Sequence, residues 1–250
     1  MRNPPDEPAS HAIVPRAERA LANRSSALVQ RTLADCKRLA AQREELDRLR
    51  EMIRHDIDQC ERALMRGASA ASYLEQVCGG RLPDWRRAAE MGLPEGQWLL
   101  GYCSWAGLSM KQDYAQAVDL FRKAAEQGNP LGQYYLGISY RNGEGVDSDY
   151  AEAVYWFCKA AEHGYALAQY ALGWCYYNGH GVDRDDSIAV QWWREAAEQG
   201  SSLAQFHLGV CYCYGYGVNR DREEGVRWWR EAAEQGHENA KTKLSRQRMG

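Results

Sequence analysis

Ala166-Leu167-Ala168-Gln169-Tyr170-Ala171-Leu172-Gly173-Trp174-Cys175-Tyr176-Tyr177-Asn178-Gly179-His180-Gly181-Val182, closed by Ala196-Ala197-Glu198-Gln199-Gly200, is the stretch whose reading decides the fold. Ala168, Leu172, Cys175 and Tyr176 fall at i, i+4, i+7 and i+8, one face of a helix. Gly173 after Leu172 lets a neighbouring helix approach closely. Asn178-Gly179-His180-Gly181-Val182 is a turn whose glycines supply positive φ. A second helix is predicted from about Asp185 to Gln199, with Gly200 ending it in the left-handed conformation. One such hairpin cannot bury its own apolar face, so it needs a neighbour of the same kind.

The neighbours are present in the chain. Ala-Ala-Glu-Xaa-Gly begins at Ala88, Ala124, Ala160, Ala196 and Ala232, 36 residues apart each time. A constant period of this length marks stacked helical units. The full copies are residues 93–128, 129–164, 165–200 and 201–236, within a solenoid predicted over 84–250. Residues 84–92 are the second helix of a degenerate leading copy. Its Trp85 is in register with Phe121, Phe157, Trp193 and Trp229. Residues 237–250 hold one last first helix, made polar by Lys241, Lys243, Arg246 and Arg248, as suits a solubilising cap. Asp149 with Glu152 and Asp221 with Glu224 are capping boxes at second-helix starts; Asp185 with Ile188 has only the first half.

Outside the repeats the composition changes. Residues 1–16 are Pro-rich and predicted to be a disordered tail. From Ala17 to Arg66 there is no Gly or Pro, and a long helix is predicted. Leu39, Leu46, Ile53 and Cys60 fall seven apart, with Leu49, Ile57 and Leu64 between them, a heptad-like stripe. It is to be buried either in a coiled-coil dimer or against the leading end of the solenoid. Residues 67–83 form a junction in which Gly67, then Gly79-Gly80 and Pro83, are expected to break the helix.

Composition excludes several classes. A 45% hydrophobic, 26% charged chain is globular in balance, and a net charge of −3 gives no field for nucleic acid. No apolar run spans a membrane, and the N-terminus leads into no secretory h-region, so a cytoplasmic protein is expected. None of the eight cysteines forms a Cys-Xaa-Xaa-Cys pair. Cys103, Cys175 and Cys211 share one inward register, as reduced structural thiols would.

Leu-Gly-Xaa-Xaa-Tyr, Gly-Xaa-Gly-Val and Ala-Xaa-Xaa-Trp-Phe/Trp-Xaa-Xaa-Ala-Ala-Glu-Gln-Gly, recurring together over about residues 84–248, closely resemble the Sel1-like repeat, a relative of the tetratricopeptide repeat. Copy one departs: its turn reads Ala106-Gly107-Leu108-Ser109-Met110 and has lost the second glycine. Ser104 stands there for the aromatic of Tyr140, Tyr176 and Tyr212. The resemblance implies an all-α, right-handed α-α superhelical solenoid, here preceded by a long helix, that mediates protein–protein contacts without catalysis. Some cysteine-rich members are β-lactamases or penicillin binders, and these pair cysteines eight positions apart. Here Cys175 is matched by Asp183 and Cys211 by Asn219, which disfavours an enzyme of that type.

Beside the core stripe each first helix carries a second stripe: Trp98, Tyr102 and Trp105; Tyr134, Ile138 and Arg141; Tyr170, Trp174 and Tyr177; Phe206, Val210 and Cys213, followed by Tyr214. In tetratricopeptide-like solenoids the corresponding face lines a concave groove. Aromatics with an Arg have the composition of binding hot spots. The motif aromatics Tyr134, Tyr170 and Phe206 can equally fill space between helices, whereas Trp105, Trp174 and Tyr177 vary between copies. Trp192-Trp193 and Trp228-Trp229 read as packing between repeats. His207 and Cys211 lie four apart but have no second pair, so neither metal nor cofactor is expected. His163 replaces the Gln of the closing motif. The recurrence of Glu126, Glu162, Glu198 and Glu234 makes them structural.

The reading is a non-enzymatic adaptor for another protein or peptide segment, with no nucleic acid or membrane partner. One alternative is a homodimer through the N-terminal helix, with the solenoid as spacer.

Overall fold

The computed structural model describes the backbone of residues 13–65 and 70–247, and the side chains of residues 30–60, 62 and 73–246. The described residues form helices and turns only. The helices are α1 (Ile13–Met65), α2 (Ala70–Glu90), α3 (Pro94–Ala106), α4 (Tyr114–Glu126), α5 (Pro130–Asn142), α6 (Tyr150–Glu162), α7 (Ala166–Asn178), α8 (Asp186–Glu198), α9 (Ser202–Tyr214), α10 (Arg222–Glu234) and α11 (Glu238–Gln247). From α2 to α11 each helix packs on its neighbour in the chain. The chain divides into two units, residues 1–48 and 49–250, the boundary falling inside α1. The expected tail lies outside the described residues up to position 12, and α1 begins at Ile13, ahead of the expected Ala17. Gly67 lies outside them too.

In the first unit α1 is exposed from Gln30 to Glu44, with Leu33 49% and Leu39 60% exposed. In the second unit its continuation buries Leu49, Ile53, Ile57 and Cys60. The heptad-like stripe is therefore one pattern with two fates. Asp56, fully buried, sits among these residues. Its carboxylate accepts hydrogen bonds from the Tyr73 hydroxyl (2.9 Å) and from Trp85 Nε1 (3.1 Å) of α2, and Arg81 Nε lies 3.9 Å away. A buried carboxylate is tolerated only when paired and hydrogen-bonded, so Asp56 fixes where α1 meets α2. Burial first, then the bond to Asp56, pushes the Tyr73 hydroxyl up to about 12.

Gly79-Gly80 and Pro83 do not end a helix as expected; α2 runs through all three. A side chain at either glycine would meet open space, and Pro83 is exposed, so water can take the carbonyl that the proline leaves unbonded. The opposite face buries Leu74, Cys78, Trp85 and Ala88, and that burial outweighs the weak propensity.

Each full copy is two 13-residue helices joined by a tight turn. Asp113, Asp149, Asp185 and Asp221 all cap the second helix, Asp185 without help from a Glu three residues on. Phe121, Phe157, Trp193 and Trp229 are buried, each against the helical glycine of its own copy. A Cβ on Gly173 would lie 2.4 Å from Trp193. The second turn glycine is required twice over. Gly181 has φ +74°, and a Cβ there would lie 2.2 Å from the Tyr150 carbonyl oxygen in the preceding copy. Ser109, at this register in copy one, has φ 54°, and its hydroxyl sits 2.9 Å from Cys78 Sγ. Cys78 lies 36 residues before Tyr114, so α2 occupies the place of a preceding second helix from that point on.

A glutamine ladder ties each copy together. Gln127, Gln199 and Gln235 donate to the buried Gln97, Gln169 and Gln205 at 2.8, 2.7 and 2.8 Å. In copy two the donor is replaced by His163, and Gln133 Oε1 is buried without a partner among the described residues.

Candidate functional site

The second stripe changes character along the solenoid. Trp98 and Tyr102 are core residues, 0% and 3% exposed, so they are not available as surface contacts. Their rings pack with each other (6.0 Å between centroids) and with Tyr135 (5.9 and 5.3 Å). Cys60, near the end of α1, is close enough to Tyr135 to help raise its hydroxyl pKa, which burial raises most. Single-helix spacing could not show this packing, because the packed rings come from two successive copies.

Farther along, the stripe opens. Trp105, Tyr134, Arg141, Tyr170, Trp174, Tyr177 and Phe206 are partly buried, and Tyr214 is 52% exposed. The motif aromatics lean on neighbours. Tyr134 packs on Tyr135, Phe157 and Tyr165, and burial pushes its hydroxyl up to about 12. Tyr170 meets His207, its hydroxyl 3.4 Å from Nε2. Phe206 stacks on His237 at 4.8 Å. Burial, then the charge of His237, lowers His207 to about 4. Trp174 packs against the cores on both sides of its copy, so its truncation would also lower stability.

The positions that vary between copies reach across to the next turn. Trp105 Nε1 donates to Glu144 Oε2 (2.7 Å). Tyr177, two copies later in the same register, meets Tyr216, two copies after Glu144, at 6.2 Å. Tyr216 stacks on Tyr214 at 5.9 Å, and the Arg184 guanidinium lies 5.5 Å over Tyr177. Arg184 is held by Asp186 at 2.9 Å. The result is a strip, Tyr177, Tyr216 and Tyr214, with a cation over its first ring. Tyr216 was missed in the sequence reading, and His180 was read only as a turn residue. Both occupy the residue between the two turn glycines, which reads Glu144, His180 and Tyr216 while its glycine flanks stay constant. That variation was the signal. His180 contacts Trp174 at 4.7 Å and Tyr150 at 4.8 Å.

No metal-ligand cluster is present among the described residues. None of the eight cysteines forms a disulfide. Burial pushes Cys103, Cys175 and Cys211 up to about 12, 11 and 12, which makes them poor nucleophiles. No helix of the described residues is long and apolar enough to cross a membrane.

Stacked helix hairpins of 36 residues, with a core of glycine-packed aromatics and a partly open aromatic stripe, define an α-solenoid. The Sel1 repeat model matches residues 94–129, 130–165, 166–201 and 202–237, and the chain belongs to the Sel1 repeat family. The matched copies start one residue later than the units defined by the pentapeptide. Among solved structures the chain is similar to c5321, a protective antigen of uropathogenic Escherichia coli strains with an SLR fold: 31% identity, TM-score 0.63, over 80% of this chain and 50% of that one. It is also similar to a Sel1 repeat protein from Oxalobacter formigenes: 37% identity, TM-score 0.61, over 63% of this chain and 64% of that one. This chain thus spans about half of the first and under two thirds of the second. A comparison with curated proteins returns no match. Sel1 repeat proteins are generally protein-interaction scaffolds.

Proposed function

We propose that this chain is a non-enzymatic adaptor that holds an extended segment of a partner protein in the groove formed by the first helices and turns of copies two to four. The observation that carries this reading is the strip of Tyr177, Tyr216 and Tyr214 with Arg184. Its aromatic side chains are partly exposed, rigid and next to a guanidinium, the make-up of interface hot spots. Arg141 and Trp174 extend it towards the leading end. Eight cysteines without a disulfide, several buried and with raised pKa, suit a reducing cytoplasm.

The test is a displayed peptide library selected against the full chain. Peptides so obtained should lose about tenfold or more in affinity for Tyr216→Ala and Tyr177→Ala, a hot-spot loss, while the helical circular dichroism stays that of the parent. Selected peptides that bind both variants as tightly as the parent would place the partner surface elsewhere.

A second reading is supported by Leu39, which begins the heptad-like stripe and lies 60% exposed on α1. A second copy of the helix would cover it. The full chain should then run as a dimer in light scattering, and the Leu39→Lys variant as a monomer. A parent that is monomeric at micromolar concentration removes this reading.

A further inference from the structure

Where α9 and α10 meet the closing helix α11 lies a cavity of about 390 Å³. Its wall carries Arg220, Arg222, Lys243 and Arg246, together with Tyr214 and Trp229, and among the described residues no carboxylate. This runs against the balance of the chain, which has 34 acidic and 31 basic residues. Four like charges around one small recess repel each other, and an anion in the recess relieves that repulsion. Three carboxylates nearby in sequence are committed elsewhere. Asp221 caps α10 through the Glu224 amide (3.0 Å), Glu224 pairs with Arg227, and Glu238 pairs with Lys241 at 2.8 Å.

Two of the cations are positioned without being neutralised. Arg220 Nε donates to the Cys213 carbonyl oxygen at 3.0 Å, which orients the guanidinium and leaves its terminal nitrogens for another partner. Lys243 Nζ lies over two rings, 5.4 Å from Tyr214 and 5.7 Å from Trp229, and 3.4 Å from the Tyr214 hydroxyl. Aromatic faces and a phenol hold an ammonium in place but leave its charge unpaired. Tyr214 is shared: it ends the strip of Tyr177 and Tyr216 and begins the cavity.

We infer that this cavity receives the carboxylate side chains of an acidic stretch in the partner segment. The inference rests on the adaptor reading and adds the chemistry of the partner: apolar side chains along Tyr177, Tyr216 and Tyr214, then Asp or Glu into the recess. Guanidinium groups pair carboxylates bidentately, and a recess of this size admits side chains of that length. A nucleic acid would need a stripe of cations following its phosphates, whereas these are gathered at one end of the solenoid.

The probe is a fluorescein-labelled poly-glutamate peptide titrated into the full chain at about 0.1 M salt, with inorganic phosphate, oligothymidylate and poly-lysine in parallel. Poly-glutamate should bind, and Lys243→Glu and Arg220→Gln should each weaken it by about tenfold, as expected for charge-assisted contacts. Lys111→Glu makes the same change in net charge as Lys243→Glu but sits in copy one, so with a Debye length of about 10 Å it should leave the affinity within about twofold of the parent. Lys243→Met keeps the stem over the rings and checks that any loss is not misfolding. Equal loss in Lys111→Glu, no binding of poly-glutamate, or tighter binding of oligothymidylate overturns the inference. If poly-glutamate fails while library-selected peptides still depend on Tyr216, the adaptor reading stands and the cavity assignment alone falls.

Discussion

The two ends of the second unit solve the same problem differently. A solenoid ends in a hairpin face with no next copy to cover it. At the leading end the chain covers it with its own α1. Leu49, Ile53, Ile57 and Cys60 are buried, Asp56 is bonded to Tyr73 and Trp85, and Ser109 replaces a turn glycine because it faces the Cys78 side chain. Trp98 and Tyr102 lie inside, packed on Tyr135 of the next copy. Beyond copy four the chain runs into α11, ten residues long and polar, and copy four keeps Tyr214 and Tyr216 exposed beside a basic recess. One stripe of sequence is thus core at one end and surface at the other. The identity of a repeat residue is set by its register; its role is set by what lies across from it.

The largest expected effect separates the two covers. Ile53→Ala should destabilise by about 2–5 kcal/mol, since it truncates a fully buried side chain. Leu244→Ala on α11 removes a partly buried one and should cost about 1 kcal/mol or less. Chemical denaturation of both variants checks this; equal losses would mean that both ends are closed alike.

A smaller effect depends on pH and belongs to the trailing end. His207 takes up a proton in the unfolded chain near pH 6.5 but in the folded chain only near 4. Between those values proton binding favours the unfolded state, so stability falls as pH drops from about 6.5 to about 4, by less than about 3 kcal/mol. His207→Ala, which restores the residue of copy three at Ala171, should flatten that slope relative to the parent. An unchanged slope would show that His207 titrates in the folded chain as it does in the unfolded one.

The smallest effect is a gain. His163→Gln would supply the donor missing above Gln133 and should stabilise by about 1 kcal/mol, the net worth of one hydrogen bond. Thermal melting that is unchanged or lower would show that Gln133 Oε1 is already satisfied by water.

The sequence carried the repeat and its registers, because the pentapeptide, the turn glycines and the aromatic at Trp85, Phe121, Phe157, Trp193 and Trp229 depend on contacts that recur every 36 residues. It misled where a contact occurs once. Gly79-Gly80 and Pro83 read as breakers, yet α2 passes through them because its other face is buried. Trp98 and Tyr102 read as groove residues, yet they are buried against Tyr135 of the next copy. Tyr216 and the recess at Lys243 were not found. The first sits in a turn outside any helical stripe, and the second joins α9, α10 and α11 with no periodic signal.

Hydrogen exchange of the full chain, with and without a library-selected peptide, most directly tests the claim that the leading part of the stripe is core and the trailing part is the partner surface. Protection should rise in α7, α9 and the turns after them, residues 178–182 and 214–218, while α3 and residues 49–60 stay as they were. Protection rising in α3 around Trp98 and Tyr102, with residues 49–60 becoming faster to exchange, would contradict it, because the partner would then be displacing α1 from the leading end.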